Sequence, residues 1–457
     1  MQPPKVVILG AGSLFFGRNS IWQMVHSGHL RRGTLALVDT DANRLSKMAR
    51  LARLVIEHHR VPLKLEASTN RRDVLEGADF VVLSFAYKNA HFRGVDCELA
   101  AKYGIRMISG DTIGPGGVYR AMREYPEIVR ACQDVQELCS GAWVLNYINP
   151  AAVHGIGLMR HFPGLKSFAL CDGQSYGPGF YGLKREYAAL AGICTKEQYD
   201  QRIDREMQVL TAGPNHFTWL IRAEYRGEDL VPKIAAAQRE RPPDEVEKTW
   251  GVFGRGLELY DAFGCLPTNM WHTQEYVRFW QGHNQTQQKY APLTLFSALE
   301  REAWTRRVWE RVDAYVSGAA PIAEFDTEFG PDLATDIIEC MWAKLGKRYF
   351  INTANRGAIT NMASDAFLEL YCDVDLDGPR PVPIGPMPRG VRAMCETVLD
   401  THELTAEAIY RQDRALLRRA LLTDPLAQSI EDTDALMSDL FQAEREALPE
   451  HWFQVNS

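Results

Sequence analysis

Short apolar runs punctuate the first 170 residues. Residues 6–9 form the first, and others follow at 35–38, 80–85, 143–147 and 166–170. Each is too short for a helix and nearly free of polar positions, the pattern of strands buried on both faces. Between them lie segments with helical spacing, such as 41–58. Strand and helix alternating in this way predict a parallel sheet covered by helices on both sides. Beyond about residue 195 the pattern changes. Residues 209–223 and the segment after Arg348 read as mixed, and helical spacing dominates 244–262, 297–316, 333–346 and 402–447. The reading is α/β: a doubly wound parallel sheet over 1–195, then a helix-rich α+β part over 196–457, with no internal repeat.

In such sheets ligands gather beyond the carboxyl ends of the strands. Gly10, Asp39, Ala86, Asn146 and Cys171 therefore share one rim. The first strand runs into Gly10-Ala11-Gly12-Ser13, and the second ends at Asp39. Glycines there let backbone N–H groups approach a pyrophosphate, the next helix N-terminus faces its charge, and the acid accepts from a ribose diol. This is the outline of a Rossmann-like dinucleotide site built from Gly10, Gly12, Ser13, Leu14, Phe15 and Asp39. The third glycine of the fingerprint is expected at position 15, where Phe15 stands.

Composition narrows the classes. The net charge is −7 with no long basic run, which argues against a nucleic-acid partner. No apolar stretch reaches the roughly 18 residues needed to span a bilayer, and the chain opens directly on a strand without a signal-peptide pattern. The nine cysteines form neither a CxxC pair nor a disulfide framework, so a reducing cytoplasm is expected.

Several segments could carry chemistry. Cys171-Asp172 ends an apolar strand, where a thiol can ligate metal, act as a nucleophile or simply be buried. Gly213-Pro214-Asn215-His216-Phe217-Thr218-Trp219 places His216 between a turn and an aromatic strand. Alone it reads as structural; with Cys171 it makes a mixed N/S site with positions open to substrate oxygens. The glycine-rich loop 110–117 is either a pocket wall or a plain turn into a helix. Asn146 and Asn149 can bond sugar or ribose hydroxyls, or close a turn before Pro150. His272, Glu275 and Tyr276 offer a general base or hydroxyl binders, or belong to an amphipathic helix with an aromatic face.

Together these segments resemble glycoside hydrolase family 4, the NAD- and manganese-dependent glycosidases. The resemblance runs through Gly10-Ala11-Gly12-Ser13, residues 111–117, Asn146-Tyr147-Ile148-Asn149-Pro150, Cys171-Asp172 and Asn215-His216-Phe217-Thr218-Trp219. It continues in Asn355-Arg356-Gly357-Ala358-Ile359-Thr360-Asn361 and Gly385-Pro386-Met387-Pro388-Arg389-Gly390. Residues 110–117 and Asp229-Leu230-Val231-Pro232 bring it nearest the α-galacturonidase and α-glucuronidase branch.

The resemblance implies a lactate/malate dehydrogenase-like architecture and an unusual hydrolysis of α-glycosides, outside the usual two-carboxylate scheme. Hydride passes from sugar C3 to NAD, a base takes the C2 proton, the aglycone leaves C1, water adds, and the hydride returns. It implies Cys171 and His216 as ligands of manganese, or of another divalent ion such as cobalt or nickel. Asp172 matches the acid, and His272 with Tyr276 occupies the segment of the base. Arg93, Asn149, Asp111 and Glu275 fall at substrate positions, and Asn146 at the cofactor. Homodimers or homotetramers are usual in such enzymes. Two departures stand out: the uronidase branch has His where this chain has Asp172, and Gly-Asp-Arg-His where it has Asn269-Met270-Trp271-His272. A simple NAD-dependent sugar or hydroxy-acid dehydrogenase is the alternative on the same scaffold.

Overall fold

The computed structural model describes residues 2–13, 16–171, 173–241, 247–282 and 290–454. Leu14 and Phe15 of the expected cofactor turn, and the expected acid Asp172, lie outside the described residues.

The strands are β1 Lys5–Leu9, β2 Thr34–Val38, β3 Lys64–Ser68, β4 Phe80–Leu83, β5 Trp143–Asn146, β6 Lys166–Ala169 and β7 Met207–Gly213. They continue as β8 Trp219–Tyr225, β9 Glu228–Asp229, β10 Leu266–Pro267, β11 Arg348–Ala354, β12 Phe367–Asp375 and β13 Gly378–Pro381. The first six form a parallel sheet in the order β3-β2-β1-β4-β5-β6. This is the doubly wound Rossmann order, and the crevice opens where the order reverses, between β1 and β4.

Both faces of this sheet are buried, which accounts for the unbroken apolar runs. Val6, Ile8, Leu35, Leu37, Phe80 and Val82 face one core, while Val7, Leu9, Ala36, Val38, Val81 and Leu83 face another. The edge strand β3, Lys-Leu-Glu-Ala-Ser, is half exposed and shows no such run, so the apolar pattern misses it.

The sheet does not stop at β6. Beyond it β11, β12, β7, β8 and β10 add antiparallel strands, with β13 on β12 and β9 on β8. One register row crosses the junction: Ala169 pairs with Asn352, Asn352 with Glu369, and Glu369 with Gly213.

The turn after β1 is built by close approach. Gly10 has φ +90°, and a Cβ on it would lie 2.7 Å from the Ser84 carbonyl carbon. The N–H groups of Gly10 and Ala11 both donate to Val38 O, at 2.8 and 2.9 Å. The helix Phe16–His26 then packs against the turn through Gly17, where a Cβ would fall 2.1 Å from Ala11 O. Gly17, not position 15, therefore supplies the close helix–strand contact expected of a third glycine.

All nine cysteines are free, and all but Cys194 are buried. Among the described residues no helix is long and apolar enough to cross a membrane.

Gly17→Ala is expected to destabilise the fold by about 1–3 kcal/mol through overpacking, read as a lower urea midpoint at unchanged m-value. A second expectation concerns Glu124, on the helix Gly114–Leu138, whose carboxylate accepts the Tyr87 N–H. Burial pushes its pKa up to about 7 against the pull of Arg120 and Arg123. A raised folded-state value means that its contribution is full below about pH 4.5 and lost as pH rises through 7. Glu124→Gln should flatten that slope, measured as urea stability at pH 5 and pH 8; an identical slope in both proteins would exclude this group as its source.

Candidate active site

Five segments converge on one buried constellation. Cys171 follows β6. His216 lies in the β7–β8 connection. Ser109, Asp111 and Thr112 precede the helix Gly114–Leu138. Arg93 comes from the helix Asn89–Lys102, and His272, Glu275 and Tyr276 from the helix Met270–Tyr276.

His216 is buried and has φ +66°, a left-handed conformation that a non-glycine residue holds only when its surroundings enforce it. Phe217 N–H donates to Pro214 O at 2.9 Å. The Asn215 amide donates to Glu369 Oε2 at 3.1 Å, and the Tyr276 hydroxyl donates to Asn215 O at 3.3 Å. The Tyr276 ring also stacks on Phe217.

The ring nitrogens of His216 are assigned by their partners. Nε2 lies 3.0 Å from Cys171 Sγ, and Nδ1 lies 2.9 Å from Thr112 Oγ1. The Thr112 hydroxyl donates to Asp111 Oδ1 at 3.2 Å, so its lone pair is left to accept Nδ1–H. Nε2 then carries the lone pair that faces the thiol. Burial and neighbouring His272 hold the imidazole well below its usual pKa, hence neutral. Thr112 is held in turn by His402, whose Nε2 lies 3.1 Å from the Thr112 carbonyl oxygen.

The His272 ring stacks on His216 at 3.8 Å. Its Nδ1 lies 3.3 Å from Glu275 Oε1. Burial pulls the His272 pKa down, but the Glu275 hydrogen bond and charge outweigh it and raise the value. Glu275 Oε2 accepts Ser109 N–H at 2.8 Å and Gly110 N–H at 3.4 Å. Both Glu275 oxygens are thus engaged within the protein, which makes this residue a positioning group for His272 and loop 109–112.

Donor atoms of Asp111, His216 and His272 all lie within 4.8 Å of one another. With Cys171 on His216, this N/S/O donor set fits a first-row divalent ion. Thr112 behind His216 is the outer partner such a ligand requires.

Asp111 is also the counter-charge of an arginine cluster. Its Oδ2 lies 3.2 Å from Arg93 Nη2 and 3.3 Å from Arg120 Nη1, and accepts from Asn149 at 3.3 Å. Burial would raise this carboxyl, but Arg93 and Arg120 hold it well below the usual range. Arg301 adds a third guanidinium, pushed down to about 10 by burial and by Arg93. Arg93 and Arg301 both lie over the Phe296 ring, at 4.2 and 5.7 Å.

On the cofactor side, Asp39 reaches the glycine turn. Its Oδ2 accepts Gly12 N–H at 2.8 Å, and a Cβ on Gly12 would sit 2.9 Å from the same oxygen. Ser13 N–H closes the turn on Gly10 O. A dinucleotide fits this cradle, which only glycine leaves open. Asn146 bonds both the N–H and the carbonyl of Ile148, closing its own loop.

The model of the family 4 glycosyl hydrolases matches residues 5–177, and the model of that family's C-terminal domain matches residues 211–427. The chain belongs to the family 4 glycosyl hydrolases. It is therefore a glycoside hydrolase. It is 27% identical over 464 residues to an α-galactosidase of Bacillus subtilis (strain 168), covering 98% of this chain and 99% of that one. It is 26% identical over 461 residues to an α-galacturonidase of the same organism, covering 96% and 97%. A 6-phospho-α-glucosidase from gut microorganisms, solved in complex with NAD and Mn2+, shares the fold with TM-score 0.81 and 20% identity, covering 98% of this chain and 99% of that one.

No individual role for Thr112, Arg120 or Glu369 follows from the sequence alone. Thr112 and Arg120 sit in or just beyond the glycine-rich loop already singled out, while Glu369 carried no local signal. Thr112→Val is expected to weaken manganese binding by roughly 10–100-fold, with Thr112→Ser retaining it, as read by metal titration. Unchanged affinity in the valine variant would refute the assigned tautomer.

Proposed function

We propose that this protein hydrolyses α-glycosides of an acidic sugar, a galacturonide foremost, using bound NAD and a divalent ion. The observation that carries the substrate class is the arginine cluster. Arg93 and Arg120 pair with the carboxylate of Asp111 and Arg301 lies within electrostatic range of both, an arginine-rich wall that suits a substrate anion. Relatives named α-galacturonidase and α-galactosidase agree in the α-galacto configuration.

Gly10, Gly12 and Asp39 would hold the dinucleotide, with Ser13 closing the turn, Leu14 and Phe15 assigned to the cofactor by the sequence, and Asn146 shaping the wall beyond it. Cys171 and His216 would hold the ion, with Asp111 within reach. Bound there, NAD supplies hydride acceptance and return at sugar C3, and the ion supplies positive charge for the C2 and C3 oxygens. His272 takes the proton from C2, its basicity raised by Glu275. Tyr276 is the weaker candidate for that task, because burial drives its phenol far up and its hydroxyl donates to Asn215 O. Asp172 gives a proton to the oxygen leaving C1. Arg93 and Asn149 orient the sugar through their shared partner Asp111. Free thiols suit a reducing cytoplasm, and we expect a homodimer or homotetramer.

The test is release of aglycone from aryl α-galacturonide with manganese, NAD and a thiol present, beside the matching α-galactoside. We expect kcat/KM at least 10-fold higher for the galacturonide, no net NADH, and loss of C2 deuterium to solvent. Stoichiometric NADH would mark a dehydrogenase, and retained deuterium would exclude the elimination route. His272→Ala should lower kcat by about 100-fold or more while leaving manganese affinity within a few-fold. Loss of affinity would make His272 a metal ligand instead.

A further inference from the structure

A second histidine–carboxylate group lies at the far end of the helix that leaves the cofactor turn, apart from the reaction centre. His26 closes the helix Phe16–His26, His59 closes the helix Ala42–His59, and Asp326 lies on the short helix Phe325–Glu328. Donor atoms of the three lie within 4.8 Å of one another. His26 Nε2 is 3.2 Å from Asp326 Oδ1, and His59 Nε2 is 3.0 Å from the same oxygen.

The hydrogen bonds say which nitrogen is free. His26 Nδ1 lies 2.8 Å from the Trp22 carbonyl oxygen, which can only accept. Nδ1 therefore carries a hydrogen, and the neutral ring presents a bare lone pair at Nε2 to a carboxylate oxygen. Two acceptors at that distance need a cation between them, a proton or a metal ion. The Trp22 ring stacks on His26 at 4.1 Å and, with the carbonyl bond, fixes the ring plane. A backbone carbonyl behind a ligating imidazole is the usual outer partner of a metal-bound histidine.

Geometry and field both accommodate a metal. Ligands 2.0–2.1 Å from a tetrahedral zinc stand about 3.3 Å apart, close to the separations seen here. His26 and His59 both end their helices, so two negative dipole ends converge on the spot. His26, His59 and Asp326 are each about a quarter exposed, leaving room for water to complete the shell.

We propose that His26, His59 and Asp326 form a structural site for a late first-row divalent ion, with zinc as the probe. The ion would clip the helix leaving the cofactor turn to the helix Ala42–His59 and to the segment carrying Asp326. The proposal is independent of the assigned glycosidase chemistry.

The test uses the full-length chain carrying Cys171→Ser and His216→Ala, so that the reaction centre keeps neither its thiolate nor the imidazole beside it. Calorimetric titration should find one zinc per chain in the micromolar range or tighter, with a zinc-dependent rise in Tm. Adding His26→Ala or the nearly isosteric Asp326→Asn should weaken that event at least 10-fold and remove the Tm rise, while His58→Ala leaves both intact. Cobalt in place of zinc should give visible d–d bands without a thiolate charge-transfer band. No zinc uptake, or uptake indifferent to His26 and Asp326, would overturn the proposal and leave the group as a proton-sharing ion pair.

Discussion

The register row Ala169–Asn352–Glu369–Gly213 decides where the reaction centre can be assembled. Cys171 lies two residues beyond one end of that row, and His216 three residues beyond the other. Neither can meet its partner unless β11 and β12 stand between β6 and β7 in this register. A slip of one residue would turn every side chain of β12 to the opposite face. Glu369 would then leave Asn215, and the left-handed turn at His216 would lose its support. A row of main-chain pairing thus sets a sulfur–nitrogen distance between two segments far apart in the chain.

Within the centre, charge is arranged around very few carboxylates. Asp111 answers Arg93 and Arg120 and also faces both stacked histidines. Glu275 is spent on His272 and two backbone amides. Buried charges persist only when so partnered. Arg93, Arg120 and Arg301 thus gather around one wall of the site, the feature on which the proposed acidic substrate rests.

Much of this architecture was legible in the linear pattern. The parallel strands announced themselves because both their faces are buried, leaving no room for polar alternation. The edge strand β3 stayed hidden because its half-exposed residues carry no such constraint. The glycine turn was readable, but the close contact belongs to Gly17, since the helix meets Ala11 O two residues later than the fingerprint spacing suggests. Cys171 and His216 stood out by residue type at element ends. Thr112 and Glu369 did not, because their importance lies in what they touch across long sequence separations, which no local pattern encodes.

The carbonyl of Thr112 accepts from His402, deep in the helix Arg389–Arg411, while the hydroxyl of the same residue sets the ring of His216. One threonine therefore joins that helix to the imidazole, through its carbonyl on one bond and its hydroxyl on the other. A change along that helix would be felt at the imidazole as a tilt, not as a charge. Packing that moves His402 along its helix therefore reaches the site without touching any residue of it.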